Sequence, residues 1–429
     1  MIRLKISRKP AAFLCALAFA FLSCSALHAA RTCNPRDLGA KGDGTTKDTA
    51  AIQGAIDACA AKGGGTVRLT AGTYLSAPIV LKSKITLQLD KGATLLGSPD
   101  HADYPAKIEF RLPASQPLVS ATNADNVAIT GEGTIDGQGE SWWKMMRGVR
   151  DAGVMGNAHP RPRLIVFDHC KHVRVEGVTI QNSPFWQLVP YYCDDVLISH
   201  VRILAPTPSP NTDAVDPFSS SNVRIDHLYA DTGDDDIAIK SGAINSEGGD
   251  EPARDITITD CTFKHGHGLS IGSEIAGGAH NIVARRIHFE GTDNGIRVKA
   301  NRDRGNDVSD LVFRDIDMKD VKNPIVISEY YPRILPPEGE VKPEPVTRLT
   351  PHFHNIVFEN VTATGGGMAG AIVGLPEAPV TDIVLQNVTL SGKTGLSIGY
   401  ANVTGKNVKV TAEQGDAILK MAGANVTLK

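Results

Sequence analysis

The sequence predicts an all-β fold, a parallel β-helix of about ten coils, through one repeated motif and the strand-like segments around it. In the motif, Asn, Asp or His precedes alternating apolar residues, as in NVAI, HVRV and DITI. Its first apolar residue stands at Val127, Val173, Val196, Val223, Ile256, Ile282, Leu311, Ile356, Ile383 and Val408. Most steps between these positions are 23 to 33 residues, and two are roughly double, which leaves room for a missed coil or a long loop.

Each repeat contains short runs of Val, Ile and Thr with period-two alternation, separated by Gly, Asn and Asp. Almost no helical pattern follows residue 65, and the leucine framework of leucine-rich repeats is absent. Coils of three short strands fit these segments, because stacking lets each coil bury an apolar face that it cannot bury alone. Four Asn-Val-Thr triplets lie in or near the motif, so we interpret them as coil residues rather than glycosylation sites. They begin at Asn360, Asn387, Asn402 and Asn425.

Residues 48–62 are the exception and predict an amphipathic helix. Asp48 is a candidate N-cap, and three glycines from residue 63 onwards end the pattern. The apolar face consists of Ile52, Ile56 and Cys59. We expect this helix to cover the open N-terminal coil, whose unpaired backbone groups would otherwise invite aggregation.

Residues 1–30 are predicted to be a secretory signal peptide, with a basic start, a short apolar stretch and small residues before residue 31. The apolar stretch falls short of the roughly 20 residues that span a bilayer, and lipidation through Cys24 is the alternative. Residues 31–429 then form one β-helix catalytic domain. We expect the protein to be secreted, either to the periplasm or to the extracellular medium.

Charge and cysteine content exclude some functions. The formal net charge is only −3, so the chain lacks the basic field of nucleic-acid-binding proteins. Beyond residue 30 an odd number of cysteines remains, without C-x-x-C spacing, so we expect no structural zinc site. In an exported protein cysteines can oxidise in pairs, and Cys33 with Cys59 is the first candidate. We predict a monomer without a cofactor, a nucleic-acid partner or a membrane partner.

Stacking would make neighbours of residues that are distant in sequence, because equivalent positions in successive coils lie about 4.8 Å apart. We align four coils on the apolar residues Val215, Ile237, Leu269 and Ile296. Two residues before these stand Asp213, Asp235, His267 and Asn294. Asp234 adjoins this column, and Arg297 and Lys299 follow in the last of the four coils. Three carboxyl groups so close together raise the pKa of at least one of them.

Such crowding destabilises a fold, so a catalytic role explains it better. Glycoside hydrolysis needs two carboxyl groups of different pKa, one to protonate the leaving oxygen and one to activate water or attack carbon. His267 would tune the proton of the acid, and Arg297 and Lys299 would bind a sugar carboxylate. Taken alone, GDDD could equally be a calcium-binding or solvated turn. The four segments together favour a catalytic site for an acidic polysaccharide.

At these segments the chain resembles the polygalacturonase family of glycoside hydrolases, family 28. The resemblance covers nearly the whole chain after residue 30 and consists of six segments in the family's order and spacing. They are GEGTIDGQGESWW, VTIQNSPFWQL, SPNTDAVDP, GDDDIAIKSG, GHGLSIGSE and NGIRVKA. The resemblance implies a single-stranded, right-handed parallel β-helix. It also implies an enzyme that hydrolyses α-1,4-galacturonosyl linkages of homogalacturonan or its oligomers, with inversion and without a metal, within the chain or from an end.

The resemblance also implies roles by position. Asp234 corresponds to the general acid, and Asp213 and Asp235 correspond to the pair that activates water. His267 matches the histidine of the Gly-His-Gly motif. Tyr330 is the alternative to Tyr331 for the family's tyrosine. The substrate-binding residues implied are Asn211, Arg297, Lys299 and Tyr331.

Some features depart from the family or leave alternatives open. Asp236 stands where the family commonly has Cys or a small residue, and we assign it no role. Residues 332–352, rich in Pro and Glu, form either an ordered flap that closes one end of the groove or a floppy insertion. The tryptophans are expected to be structural rather than to stack on sugars; these are Trp142, Trp143 and Trp186. A rhamnogalacturonan or xylogalacturonan hydrolase is the runner-up function, followed by a pectate lyase or a non-catalytic carbohydrate-binding β-helix.

Overall fold

The computed structural model describes residues 31–153 and 159–429 of the chain, so the predicted signal peptide lies outside the described residues. The helices are α1 (Thr49–Ala61) and α2 (Glu140–Asp151), with single 3-10 turns at Pro35–Leu38 and His101–Asp103. Across the described ranges, no helix is both long enough and apolar enough to span a bilayer.

The chain forms many strands, most of which are short. Those up to residue 204 are β1 (Thr32–Cys33), β2 (Asp43–Lys47), β3 (Gly65–Leu69), β4 (Gly72–Ser76), β5 (Ile79–Val80), β6 (Ile85–Leu89), β7 (Ala93–Gly97), β8 (Ala106–Glu109), β9 (Leu112–Ser115), β10 (Val119–Thr122), β11 (Asp125–Gly131), β12 (Thr134–Asp136), β13 (Ile165–Asp168), β14 (Lys171–Glu176), β15 (Thr179–Gln181), β16 (Leu188–Tyr191), β17 (Asp194–Ser199) and β18 (Arg202–Leu204). The later strands are β19 (Ser221–Asp226), β20 (Tyr229–Asp231), β21 (Ile237–Ser241), β22 (Ala253–Thr259), β23 (Thr262–Phe263), β24 (Leu269–Ile275), β25 (Ala279–Glu290), β26 (Asn294–Lys299), β27 (Asp307–Lys319), β28 (Asn323–Ser328), β29 (His352–Val373), β30 (Val380–Gly399), β31 (Ala401–Ala412), β32 (Ile418–Lys420) and β33 (Ala424–Leu428).

These strands stack in three parallel ladders, which confirms the predicted β-helix. The first ladder runs β5, β10, β13, β16, β21, β24, β26, β28, with residues 215–218 bridging β16 to β21. The second ladder starts at β1, β3 and β6 and continues through β11, β14, β17, β19 and β22. The third includes β4, β7, β12, β15, β18 and β20. From β25 onwards, long strands pass from the second ladder to the third without a break.

The second ladder confirms the repeat motif in detail. The motif residues from Val127 to Ile383 occupy successive rungs of it. The prediction for the last motif position, Val408, was wrong. Ile383 pairs with Val403 instead, and Val408 belongs to the third ladder. Both double-length steps are loops, since β11 pairs directly with β14 and β27 with β29. Coils without the motif extend the stack at both ends, so it exceeds ten coils.

Backbone geometry explains why a polar residue opens each motif. Asn126, His172 and Asp255 have φ values of 56°, 53° and 56°, and the other motif positions up to Asp382 are similar. Asn and Asp enter this left-handed region more readily than other non-glycine residues. The chain can therefore bend at each corner and still bury the apolar residue that follows.

The N-terminal helix is where the sequence predicts it. Helix α1 follows Asp48, and its residues Ile52, Ile56 and Cys59 are buried against the first coils. The Asp48 carboxylate does not cap the helix; it accepts hydrogen bonds from the backbone N–H groups of Lys41 and Gly42, at 2.7 and 2.8 Å. The predicted disulfide between Cys33 and Cys59 is present and ties the helix to β1.

Two elements were absent from the sequence prediction. Helix α2 contradicts the expectation that helical pattern ends near residue 65, and it buries Trp142 and Trp143. Trp142 stacks on His101 with ring centroids 3.5 Å apart, so its role is structural, as expected. The antiparallel hairpin β8–β9 lies over the outer face of the first ladder.

The long segment 332–351 forms no strand, but it is held against neighbouring loops. Arg348 donates hydrogen bonds to the backbone oxygens of Ser246 and Ala276. Arg302 forms an ion pair with Glu344, at 3.3 Å. These contacts favour an ordered flap over a floppy insertion.

Candidate active site

The predicted alignment of four coils is confirmed. Val215 bridges to Ile237, Ile237 pairs with Leu269, and Leu269 pairs with Ile296. Residues two positions earlier therefore lie on successive coils of the first ladder; they are Asp213, Asp235, His267 and Asn294. Within these strands the inner side is aliphatic and fully buried, so Arg297 and Lys299, which alternate with it, emerge on the outer face.

Gly268 shows why the segment GHG needs its glycines. Its φ is +77°, and a Cβ there would lie 2.0 Å from the backbone oxygen of Asn294 on the next coil. Only glycine fits so close an approach. The tight turn places the His267 side chain beside Asp234, whose backbone oxygen also accepts from the His267 N–H at 2.8 Å.

Asp235 is the most tightly held carboxylate of the site. Its Oδ1 accepts from Arg297 at 2.7 Å and from Ser270 at 2.8 Å, and its Oδ2 accepts from Lys299 at 2.7 Å. Burial opposes the charge, but the Lys299 and Arg297 cations outweigh it and hold the pKa of Asp235 well below its usual range. The two cations, predicted to bind a substrate carboxylate, are thus paired with a carboxylate of the chain itself.

Asp234 sits one residue away in a different environment. Its Oδ1 lies 3.0 Å from His267 Nδ1, and its Oδ2 lies 3.5 Å from Asn211 Nδ2. Burial opposes ionisation, yet the hydrogen bond from His267 lowers the pKa of Asp234. Burial also disfavours charged His267, and the Asp234 contact more than compensates, so the pKa of His267 is raised. The Asn211 side-chain oxygen accepts from Arg150 at 2.9 Å and from Arg161 at 2.8 Å, which orients its amide toward Asp234.

Asp213 is the carboxyl group of the cluster whose ionisation is least favoured. Burial, followed by the negative charges of Asp234 and Asp216, raises its pKa well above the usual value. Asp213 Oδ1 is buried and has no hydrogen-bond partner among the described residues. Because Asp213, Asp234 and Asp235 differ in this way, the three carboxyl groups hold protons with unequal strength.

Sequence reasoning missed a buried cation next to Asp213. Lys240 Nζ lies 3.3 Å from Glu274, 3.9 Å from Asp216 and 4.0 Å from Asp213. Burial would favour loss of its proton, but these carboxylates raise the pKa of Lys240. Burial raises the pKa of Asp216 to about 8, although Lys240 opposes the rise. The alternation along the strand could have identified Lys240. Because Ile239 points inward, its neighbour Lys240 must emerge on the outer face, where the site lies.

Two uncertain assignments are resolved by packing. Asp236 is fully buried under the turn, accepts from the Gly268 N–H at 3.1 Å and has a pKa well above its usual value because of that burial. It lies outside the cluster, in line with no assigned role. Tyr331 lies under two cations, with its ring centre 5.4 Å from Lys299 Nζ and 5.6 Å from the Arg304 guanidinium. Tyr330 instead packs into a separate apolar cluster, so Tyr331 is the tyrosine at the site.

Asp234, Asp235 and His267 bring ligand atoms within 4.8 Å of one another, a spacing that a metal ion could bridge. Arg297 and Lys299, however, already neutralise Asp235. A divalent cation would have to compete with both, so this donor set suits proton transfer better than metal binding.

Comparison with known proteins agrees with this geometry. Residues 59–413 match the family model described as Glycosyl hydrolases family 28. An endo-polygalacturonase of Pectobacterium carotovorum subsp. carotovorum is 31% identical over 383 residues, covering 85% of this chain and 89% of that protein. The crystal structure of an exopolygalacturonase from Thermotoga maritima superposes with a TM-score of 0.78 at 30% identity, covering 90% of this chain and 93% of that one. A polygalacturonase from Erwinia carotovora ssp. carotovora gives 0.69 at 27%, covering 93% and 97%. The chain therefore belongs to glycoside hydrolase family 28 and is a glycoside hydrolase.

Proposed function

We propose that this chain is a secreted polygalacturonase that hydrolyses α-1,4-galacturonosyl linkages of homogalacturonan or its oligomers, with inversion at the anomeric carbon. The observation that carries the proposal is the meeting of three carboxyl groups from two adjacent coils in three different environments: Asp234 lies beside His267, Asp235 is paired with two cations, and Asp213 is buried near Lys240. Acid/base hydrolysis of a glycoside needs such a difference.

In this mechanism Asp234 donates a proton to the leaving glycosidic oxygen. Without substrate Asp234 is ionised beside His267, so its proton must be supplied on binding. A polyanionic sugar chain placed next to Asp234 raises its pKa, and His267 Nδ1, 3.0 Å away, is in position to pass a proton to it. His267 is therefore both the partner and the proton reserve of the acid.

Asp235 and Asp213 together activate the attacking water. Asp235 is kept ionised by Arg297 and Lys299 and accepts a hydrogen bond from the water. Asp235 takes up the proton that this water releases as it attacks the anomeric carbon, and Asp213, one coil earlier and beside Lys240, orients the water through a hydrogen bond. Inversion follows if water and leaving group occupy opposite faces of the sugar ring.

The cations at the site favour a galacturonate unit at the point of cleavage. Lys299 and Arg304 lie over the ring of Tyr331, and a galacturonate carboxylate would share Arg297 and Lys299 with Asp235. A rhamnogalacturonan or xylogalacturonan hydrolase is the second candidate, because decorated chains also carry galacturonate. The predicted signal peptide and an extracellular polymer as substrate support export of residues 31–429 as the catalytic domain.

Product analysis on polygalacturonate tests the proposal. We expect new reducing ends without an ultraviolet-absorbing double bond, at a rate that a chelator does not change, and a product whose anomeric configuration by NMR is inverted. Unsaturated products and loss of activity with chelator would instead identify a lyase. Activity on rhamnogalacturonan or xylogalacturonan but not on polygalacturonate would select the second candidate.

A further inference from the structure

We infer that this chain removes sugars from one terminus of its substrate rather than cutting within it, because the hairpin β8–β9 closes the groove shortly before Asp213. The inference rests on the proposed hydrolysis of polygalacturonate. It concerns the part of the first ladder's outer face that leads to the catalytic carboxyl groups, a part that takes no role in the chemistry.

The tip of the hairpin occupies the surface on which a longer sugar chain would have to lie. Phe110, at the tip, stacks on Tyr191 with ring centroids 4.0 Å apart and contacts Phe218 at 5.6 Å. Beneath it, Val166 and Val189 on the outer face are 1% and 0% exposed. Phe218 lies in the same coil as Asp213, so the cover reaches the catalytic coil itself.

Buried charge fixes the hairpin in this position. Arg163, two coils before Asp213, donates to Glu109 at 2.8 Å, and both residues are buried. The Arg163 guanidinium also lies over the ring of Phe110 at 4.2 Å and over that of Trp186 at 4.4 Å. On the other side of the tip, Arg111 forms an ion pair with Asp250 at 3.1 Å. The hairpin is thus fastened on both sides of the groove.

The space left on this side is short. Arg163, Trp186 and Asp213 occupy equivalent positions in three successive coils. Trp186, in the middle coil, is half-buried. Adjacent coils lie about 4.8 Å apart, a spacing close to the length of one pyranose unit. On the opposite side the groove is accessible: the side chains of His267 and Asp293 are 34% and 42% exposed. A chain entering from there can place about one terminal sugar beyond the cleavage point.

Early products of the wild-type protein on polygalacturonate give the first test. We expect a single small product, the monosaccharide, from the earliest times, with slow loss of viscosity per reducing end formed. A ladder of oligomers would overturn the inference while leaving the proposed hydrolysis intact. Absence of any new reducing ends would instead refute the proposed hydrolysis, so the two failures are distinguishable.

Blocked substrates test the same point without any variant. One preparation carries unsaturated non-reducing ends, and a second carries reducing ends converted to alditols. If the enzyme acts on one terminus, its initial rate should fall on the preparation in which that terminus is blocked. Equal rates on both and on untreated polymer would show internal cleavage and overturn the inference.

A hairpin variant tests the cause. Phe110 and Arg111 have φ values of 52° and 64°, which Asn and Gly adopt readily in a two-residue hairpin turn, so Phe110→Asn with Arg111→Gly keeps the turn and removes the cover. We expect the early products to shift from monosaccharide toward oligomers. The matched control is Ile108→Thr on the same hairpin, where the side chain is 69% exposed and no shift is expected. A folded variant, by circular dichroism, that still releases only monosaccharide would show that the hairpin does not close the groove.

Discussion

The outer face of the first ladder differs sharply on the two sides of Asp213, although the inner face is aliphatic throughout. On the two coils before Asp213 the outward residues in one row are Val166 and Val189, and the hairpin covers them. After Asp213 the corresponding positions include Ser270 and Arg297, and nearby the side chains of His267 and Asp293 are partly exposed. The comparison teaches that coil stacking dictates only the inner side of a strand. The outer side of a strand can therefore be covered by another segment, as under the hairpin, or carry the residues of the site.

The largest effect should come from the acid on the reactive side. We expect Asp234→Asn to lower kcat on polygalacturonate by about 10²- to 10⁴-fold, because the leaving oxygen loses its proton donor. Binding of the polymer, measured by calorimetry, should persist. The matched control is Asp236→Asn, the same change at a buried neighbour outside the cluster, which should leave kcat close to the wild-type value. Undiminished turnover by Asp234→Asn would show that another group is the acid.

In the region under the hairpin β8–β9, we expect substitutions to affect mainly the free energy of unfolding. We expect Arg163→Met to reduce the free energy of unfolding by about 3 kcal/mol, the lower end for a broken buried pair, because Lys107 stays 3.3 Å from Glu109. Urea unfolding measures the loss. Adding Glu109→Gln should recover part of it, since the buried charge is then removed. As a control, Arg68→Met breaks an exposed pair and should leave the urea midpoint almost unchanged.

Removing one cation from Asp235 should change the pH dependence of activity. Lys299 and Arg297 together hold the pKa of Asp235 low, so Lys299→Met should raise that pKa. The acid limb of kcat/KM should therefore move to higher pH. Lys319→Met, which removes an exposed lysine paired with Glu290, should not move it. An unchanged acid limb in Lys299→Met would exclude Asp235 as the base.

The smallest effect should be the pH dependence of stability that His267 confers. Its pKa is raised in the folded state, so its stabilising contribution is complete below the unfolded pKa of about 6.5 and is lost as pH rises through the folded value. The difference in Tm between wild type and His267→Gln should therefore shrink between about pH 6 and about pH 9. A difference that grows over this interval would contradict the proposed pairing with Asp234.

Coil stacking explains how much could be predicted from sequence. The positions from Val127 to Ile383 and the column from Asp213 to His267 follow from periodicity, because each rung repeats the same local geometry. The hairpin around Phe110 could not be predicted in this way, since it belongs to no rung. Stacking also predicts that Arg297 and Lys299 lie near the column. It does not predict that they pair with Asp235, because that pairing depends on side-chain geometry across three coils.

The three consecutive aspartates show the same limit on a smaller scale. Sequence alone indicates that Asp234, Asp235 and Asp236 crowd together, and it cannot say which of them keeps a proton. In the structure each faces a different neighbour: His267, the two cations, and the buried backbone of Gly268. Identical residues therefore differ in ionisation because burial and partners differ.

Strands β11 and β14 stay in register although the chain between them makes a helix and a long excursion. The same is true of β27 and β29 across residues 332–351. At both corners the solenoid tolerates a large insert without any shift of the rungs that follow. These two corners are consequently natural grafting points, where a binding module could be added to the enzyme while the spacing of its catalytic groups stays as it is.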